Sequence, residues 1–122
     1  MTVTPRETDL QAGVIDLSLR EADLLAGVID LAHALGYRVA HFRPAQTAHG
    51  WRTPVAADGA GFPDLVLVRP RDGRVIVAEL KAEHGRVTPA QRAWLDDLAS
   101  TGIPTFTWWP ADYPDRIAAV LR

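Results

Sequence analysis

Asp64-Leu-Val-Leu-Val-Arg69 and Arg74-Val-Ile-Val-Ala-Glu-Leu-Lys81, separated by Pro70-Arg-Asp-Gly73, decide how this chain folds. Both runs are dense in β-branched and apolar residues, and Pro and Asp-Gly between them are strong turn chemistry. Two strands joined by so short a turn must pair antiparallel. If Arg69 lies opposite Arg74, Asp64 falls opposite Glu79. A two-residue Asp72-Gly73 loop would instead place Asp64 opposite Lys81, with Glu79 on the diagonal. In either register Asp64, Glu79 and Lys81 share one face, because strand side chains alternate, and Leu80 points the other way into the core.

Carboxylates opposite each other on a sheet have Cβ atoms only about 5 Å apart and repel, so a cation belongs between them. Two carboxylates and the Leu80 carbonyl suit a hard divalent ion such as Mg²⁺, which keeps several waters in such a site. With an adjacent amine, that is the minimum equipment for metal-assisted hydrolysis of a phosphodiester. Lys81 would hold a nucleophilic water, offset developing charge, or do both. The alternative is a surface salt bridge. Against it, Glu79 and Lys81 end an otherwise apolar strand, where charge is costly without a purpose.

Outward from the hairpin the chain reads as compact α/β. Ser18 is an N-cap signal with Glu21 three residues on, and Leu24, Leu25, Val28, Ile29, Leu31, Ala32 and Leu35 form an apolar stripe that Gly36 stops. Residues 37–43 alternate like a strand, whereas 44–62 have no regular period. Thr88, Pro89 and Gln91 open a second helix that runs to about Thr101 and buries Trp94, Leu95 and Leu98. Residues 104–109 read as a strand and 114–121 as a final short helix. Residues 1–17 are an N-terminal arm, flexible or an extra helix, and 18–122 a single domain.

Pro63-Asp64, followed fifteen residues later by Glu79-Leu80-Lys81, resembles the PD-(D/E)XK nuclease superfamily. The wider text, Gly61-Phe-Pro-Asp-Leu-Val-Leu-Val-Arg69, Ala78-Glu-Leu-Lys81, Gly85-Arg-Val-Thr-Pro-Ala-Gln91 and Trp94, is similar to its VRR-NUC branch, in particular the small stand-alone nucleases of phages and prophages. The resemblance implies a restriction-endonuclease-like core, a mixed central sheet flanked by helices. It implies a metal-dependent endonuclease acting on DNA, with Asp64, Glu79 and the Leu80 carbonyl binding Mg²⁺ or Mn²⁺ and Lys81, Gln91 and Glu21 completing the catalytic set. It also implies homodimers acting on branched DNA such as four-way junctions, in the cytoplasm of a bacterial or phage-infected cell. For Gln91 and Glu21 helix capping is a competing role. The rival reading of the whole is an inactive module of the same fold that binds DNA or recruits a partner.

Composition is compatible with this. At 122 residues and 13.3 kDa the chain is one domain, and with no cysteine it has neither disulfides nor thiolate zinc sites, as in a reducing cytoplasm. No apolar run is long enough for a membrane helix, and no basic region precedes a hydrophobic stretch as in an export signal. The net charge of −2 divides unevenly: residues 36–92 hold nine Lys or Arg against five acids, while both flanks are acidic. Arg38, Arg43, Arg52, Arg69, Arg71, Arg74, Arg86 and Arg92 are thus candidates for phosphates. Of these, Arg43, Arg52 and Arg86, with Trp51 and His41, are the nearest candidates for nucleic-acid contact. Trp51 either stacks on a base or anchors its loop. The histidines lack zinc-motif spacing.

Two features stand apart. Residues 9–17 recur almost unchanged as 23–31, eight matches in nine positions; the first copy is either an extra helix that packs on a partner subunit or a spare segment. Trp108 and Trp109 must face opposite ways on a strand, so one is core and the other covers a helix, a substrate or an interface.

Overall fold

The computed structural model describes residues 20–42, 45–47, 50–52 and 55–122, with side chains between 43 and 54 left undescribed. Its elements are α1 (Glu21–Ala34), β1 (Arg38–His41), β2 (Ala45–Thr47), β3 (Gly50–Arg52), β4 (Leu65–Arg69), β5 (Arg74–Leu80), α2 (Pro89–Ser100), β6 (Thr105–Trp108) and α3 (Asp115–Leu121). Four strands form one sheet in the order β1-β4-β5-β6. The first three pair antiparallel, and β6 joins β5 in parallel. This is the expected mixed sheet with flanking helices.

The hairpin takes the first of its two registers. Arg69 pairs with Arg74 and Leu65 with Ala78, and a short 3₁₀ turn over Pro70–Asp72 ends at Gly73 in the left-handed region, φ 64°. Alternation then sorts the faces. Leu65, Leu67, Ile76, Ala78 and Leu80 form a core with Leu24, Val28 and Ala32 of α1, Ile117 and Leu121 of α3, and Trp108. Leu80 is buried, as the alternation requires. On the opposite parity stand Val77 and Glu79, and α2, crossing between the parallel strands β5 and β6, packs there with Leu95 as its buried residue.

Four expectations change. Ser18 lies outside the described residues and is not adjacent to α1, whose cap is Arg20. Arginine offers no oxygen, so only the returning half of a capping box forms, Arg20 N donating to Asp23 Oδ2 at 3.4 Å. Glu21 is therefore the first helical residue, not the third, and has no capping duty. Within the segment read as aperiodic, residues 45–47 and 50–52 pair as a small antiparallel ribbon; three-residue strands are too short to show a period. In α2 only Leu95 is fully buried, while Trp94 and Leu98 are half-buried.

The fourth change concerns Arg69, which is not a free phosphate ligand. Arg69 is 4% exposed. Its guanidinium donates to Asp72 Oδ1 and Oδ2, both at 3.0 Å, and to the carbonyls of Leu35 at 2.9 Å, Leu121 at 3.1 Å and Arg122 at 3.2 Å. The ends of α1, of α3 and of the hairpin are thus tied to one cation, which also lies 4.6 Å from the centre of the Tyr37 ring. Arg74 donates to the Tyr37 hydroxyl at 2.7 Å. Residues 1–17, and with them the first copy of the duplicated segment, lie outside the described residues, as does Arg43.

Candidate active site

At the end of the sheet opposite the Arg69 tie, four elements deliver polar groups to one place. Asp64 immediately precedes β4, Glu79 and Lys81 lie at the end of β5 and just beyond it, Gln91 is the third residue of α2, and Glu21 is the first of α1. One residue beyond the Leu65–Ala78 pair, the register sets Asp64 opposite Glu79. Asp64 Oδ2 accepts from the Leu80 N–H at 2.8 Å, so the carboxylate closes the ladder that its own backbone leaves open.

Gln91 joins the rest. Its Nε2 donates to Glu79 Oε2 at 2.9 Å, and its Oε1 accepts from Lys81 Nζ at 2.7 Å. Lys81 Nζ is also 3.3 Å from Glu79 Oε2. The same Oε1 accepts from Thr88 N at 2.9 Å, while Gln91 N donates to Thr88 Oγ1 at 3.2 Å, a complete capping box. Both readings of Gln91 are therefore true together: the cap orients the amide, and the amide fixes Glu79 and Lys81.

Charge is poorly balanced here. Glu79 is 3% exposed, and its Oε1 is buried without a hydrogen-bond partner. Its pKa is pushed up to about 7, by burial first and then by the Asp64 charge, against the opposing pull of Lys81. Asp64 is also raised, chiefly by burial, with the Leu80 N–H, His41 and Lys81 acting the other way. Glu21 is raised by burial and by Asp64, and lowered by Lys81. Asp64 and Glu79 thus share one ammonium, with the Glu21 charge interacting with both, an arrangement in which a further cation is favoured.

The donors fit a hard divalent ion. The orphaned Glu79 oxygen and the half-buried Asp64 carboxylate are hard oxygen donors, and the Leu80 carbonyl directly follows Glu79 in sequence. Among the described residues no three His, Cys, Asp or Glu side chains form a cage by themselves. A bound ion would therefore complete its shell with main-chain oxygen and water, which is the habit of Mg²⁺.

The other residues read from sequence divide. His41 pairs with Leu65, next to Asp64, and its charge acts on that carboxylate. Arg86 is exposed on the 81–88 loop beside the site. Trp51 and Arg52 belong to β3, with side chains undescribed. Arg92 is engaged by Asp96 at 3.4 Å.

Residues the sequence did not single out as working parts hold this end of the sheet in place. Gly61 has φ +87°, and a Cβ there would meet the Ala90 carbonyl carbon at 2.6 Å and its oxygen at 2.7 Å. Only glycine lets the start of α2 come this close to the loop that carries Asp64. Trp94 Nε1 donates to Asp58 O at 3.0 Å, and its ring meets Phe62 edge-on at 5.1 Å, fastening the same loop to α2. Trp108 is core. Trp109 Nε1 donates to Gly85 O at 2.9 Å, tying the 81–88 loop to the end of β6. Glycine within a motif and adjacent tryptophans were the available signals, but neither discloses its partner.

Comparison with known proteins bears on this geometry. A family model described as the VRR-NUC domain matches residues 18–107. Over 44 residues, 36% of its length, the chain is 46% identical to a Fanconi-associated nuclease 1 homolog of Caenorhabditis elegans, of which it spans only 5%. A solved structure described as a VRR_NUC domain superposes with a TM-score of 0.54 at 22% identity, covering 71% of this chain and 81% of that one. Identity so low establishes the fold, a restriction-endonuclease-like core.

Proposed function

Since the chain belongs to the VRR-NUC domain family, we propose that it is a metal-dependent endonuclease that hydrolyses DNA phosphodiester bonds. The observation that carries this reading is the buried Glu79 carboxylate, whose Oε1 has no partner beside Asp64 and Lys81. A buried oxygen left without a partner costs about 1–3 kcal/mol, and Mg²⁺ or Mn²⁺ held by Asp64, Glu79 and the Leu80 carbonyl would offset that cost. When bound, the ion lowers the pKa of water and polarises the scissile phosphate.

The chain's own groups do the rest. Gln91 holds the Lys81 ammonium at the mouth of the carboxylate pair, where it orients the attacking water and offsets charge developing on the phosphate oxygens. Asp64 is kept in place by the Leu80 N–H. Glu21, free of capping, extends the set of acids around the metal. His41, beside Asp64, and the exposed Arg86 are the candidates for contact with a nucleic-acid backbone, with Trp51, Arg52 and Arg43 as further ones. Homodimers with two-fold-related sites would make paired nicks on a symmetric branched substrate such as a four-way junction. A phage or prophage origin and a cytoplasmic setting accord with the same reading. Among the described residues no helix is long and apolar enough to cross a membrane.

Supercoiled, linear, single-stranded and four-way-junction DNA, each incubated with Mg²⁺, Mn²⁺ or EDTA, test the proposal. Metal-dependent cleavage lost in both Asp64→Ala and Lys81→Ala is the expected result. Binding that survives these changes with no cleavage by any form would replace the enzyme with a binding module. Neither cleavage nor binding would sink both.

A further inference from the structure

Trp94 stands between two clefts beside the site. Between the loop that leads to Asp64 and α2, one cleft of about 350 Å³ is lined by Asp58, Ala60, Ala90, Ala93, Trp94 and Asp97. The other, of about 360 Å³, lies between Trp94, Phe62 and residues 55–59. Asp58 and Trp94 border both, and either volume is within the range of small-ligand pockets. The first cleft adjoins the catalytic set directly. Ala90 precedes Gln91, whose amide holds Glu79 and Lys81, and Trp94 follows Gln91 by three residues, about one helical turn.

The indole that separates the clefts is fixed in place and only half-buried. Its Nε1 donates to the Asp58 carbonyl at 3.0 Å, and its ring meets Phe62 edge-on at 5.1 Å, which in turn meets Phe42 edge-on at 5.5 Å. Ala57, just before Asp58, has φ +57°, in the left-handed region that alanine rarely adopts. Strain of this kind persists where the surrounding structure holds it, and it gathers at ligand clamps.

The first cleft thus offers a rigid aromatic wall, small alanines and two carboxylates, and among the described residues no Lys or Arg lines it. Such a lining repels a phosphate. It suits the flat face of a nucleobase whose edge carries N–H donors, because an ionised carboxylate only accepts. Guanine presents an N–H and an NH₂ side by side on its pairing edge, which one carboxylate accepts together, whereas thymine has a single N–H there. We propose that this cleft receives an unpaired base, guanine in preference, from a nucleotide beside the scissile phosphate, stacked on Trp94 with its edge toward Asp58 and Asp97. The proposal rests on the nuclease reading and gives that site a substrate feature to recognise, since in a continuous duplex the same edge is engaged by its complement.

Two short single-stranded probes test it, an all-thymine oligonucleotide and the same oligonucleotide with one central guanine. In EDTA the guanine-containing probe should bind about tenfold more tightly, the discrimination expected of a bidentate contact to a base edge. In Mg²⁺ the cuts should gather beside the guanine. Ala93 is exposed on α2, so Ala93→Leu keeps a good helix former while filling the cleft, and it should abolish both preferences. Asp97→Asn, also at an exposed position, leaves the stacking wall intact and should narrow the difference between the probes.

Equal binding of the two probes by the unaltered protein overturns the proposal, and so does a guanine preference that survives both Ala93→Leu and Asp97→Asn. Cleavage with no bias toward the guanine would keep the nuclease and remove the base cleft. Guanine-dependent binding that Ala93→Leu abolishes, with no cleavage in Mg²⁺ or Mn²⁺, would keep the cleft and remove the nuclease.

Discussion

The two ends of the central hairpin both bury charge, and they treat it in opposite ways. At the turn end the Arg69 guanidinium meets two carboxylate oxygens and three carbonyls, each at 3.2 Å or less. At the open end Asp64 and Glu79 face each other with Glu21 nearby, Lys81 is the shared ammonium, and one Glu79 oxygen has no partner. The first end is complete as it stands and holds secondary-structure termini together. The second leaves one buried carboxylate oxygen unsatisfied, which is the place the proposed cation would fill. Within one pair of strands, the degree of satisfaction separates a saturated structural charge from one with capacity left for a ligand.

That contrast can be broken most sharply at the open end. Lys81→Met keeps the apolar stem and removes the ammonium, so DNA cleavage per folded molecule, measured with saturating Mg²⁺, should fall by about 10³-fold, far more than the stability lost by unpairing Glu79; this follows from a charge used mainly in the transition state. The reverse pattern is expected at the turn end. Arg69→Met leaves three carbonyls and Asp72 without their donor and should cost about 3 kcal/mol of stability in urea unfolding. Cleavage by the folded fraction should persist. A large loss of activity per folded molecule in Arg69→Met would erase the division of labour.

Opposite pH signs provide the next test. The Glu79 pKa stands at about 7 in the fold against an ordinary 4.5. Between those values the native state holds the extra proton, so metal-free protein in EDTA should lose stability as pH rises from about 4.5 through about 7, by an amount on the order of 2 kcal/mol. Glu79→Gln should flatten this limb, and saturating Mg²⁺ should lift it. Asp72 behaves in the other sense. The Arg69 hydrogen bond holds its carboxyl below the ordinary 3.8, so its contribution is present above that value and is lost as pH falls through the lower folded pKa. Asp72→Asn should remove only this small acid limb. Acid and base titrations of unfolding in both variants measure the two limbs directly.

Much of this was legible because it is local. Turn chemistry and alternation fixed the hairpin to one of two registers, and either one placed Asp64, Glu79 and Lys81 together. Thr88, Pro89 and Gln91 announced the second helix because capping is written over four consecutive residues. What escaped depends on residues distant in sequence. Arg69 counted as a candidate phosphate ligand because sequence shows charge and not burial, and its partners Leu35 and Leu121 lie 34 and 52 positions away. Gly61 is needed because Ala90 approaches it. The cap of α1 lies at Arg20, although Ser18 has the better capping chemistry.

The bond from Trp109 to the Gly85 carbonyl carries a consequence for synthesis. All the polar groups of the site from Asp64 to Gln91 leave the ribosome before β6 does, and β5 obtains its parallel partner only when residues 105–108 follow. Until Trp109 arrives, the loop leading from Lys81 to Gln91 lacks its outer fastening. A growing chain therefore carries these polar residues for some time without the framework that sets their spacing, and it acquires that framework only when residues 105–109 have emerged.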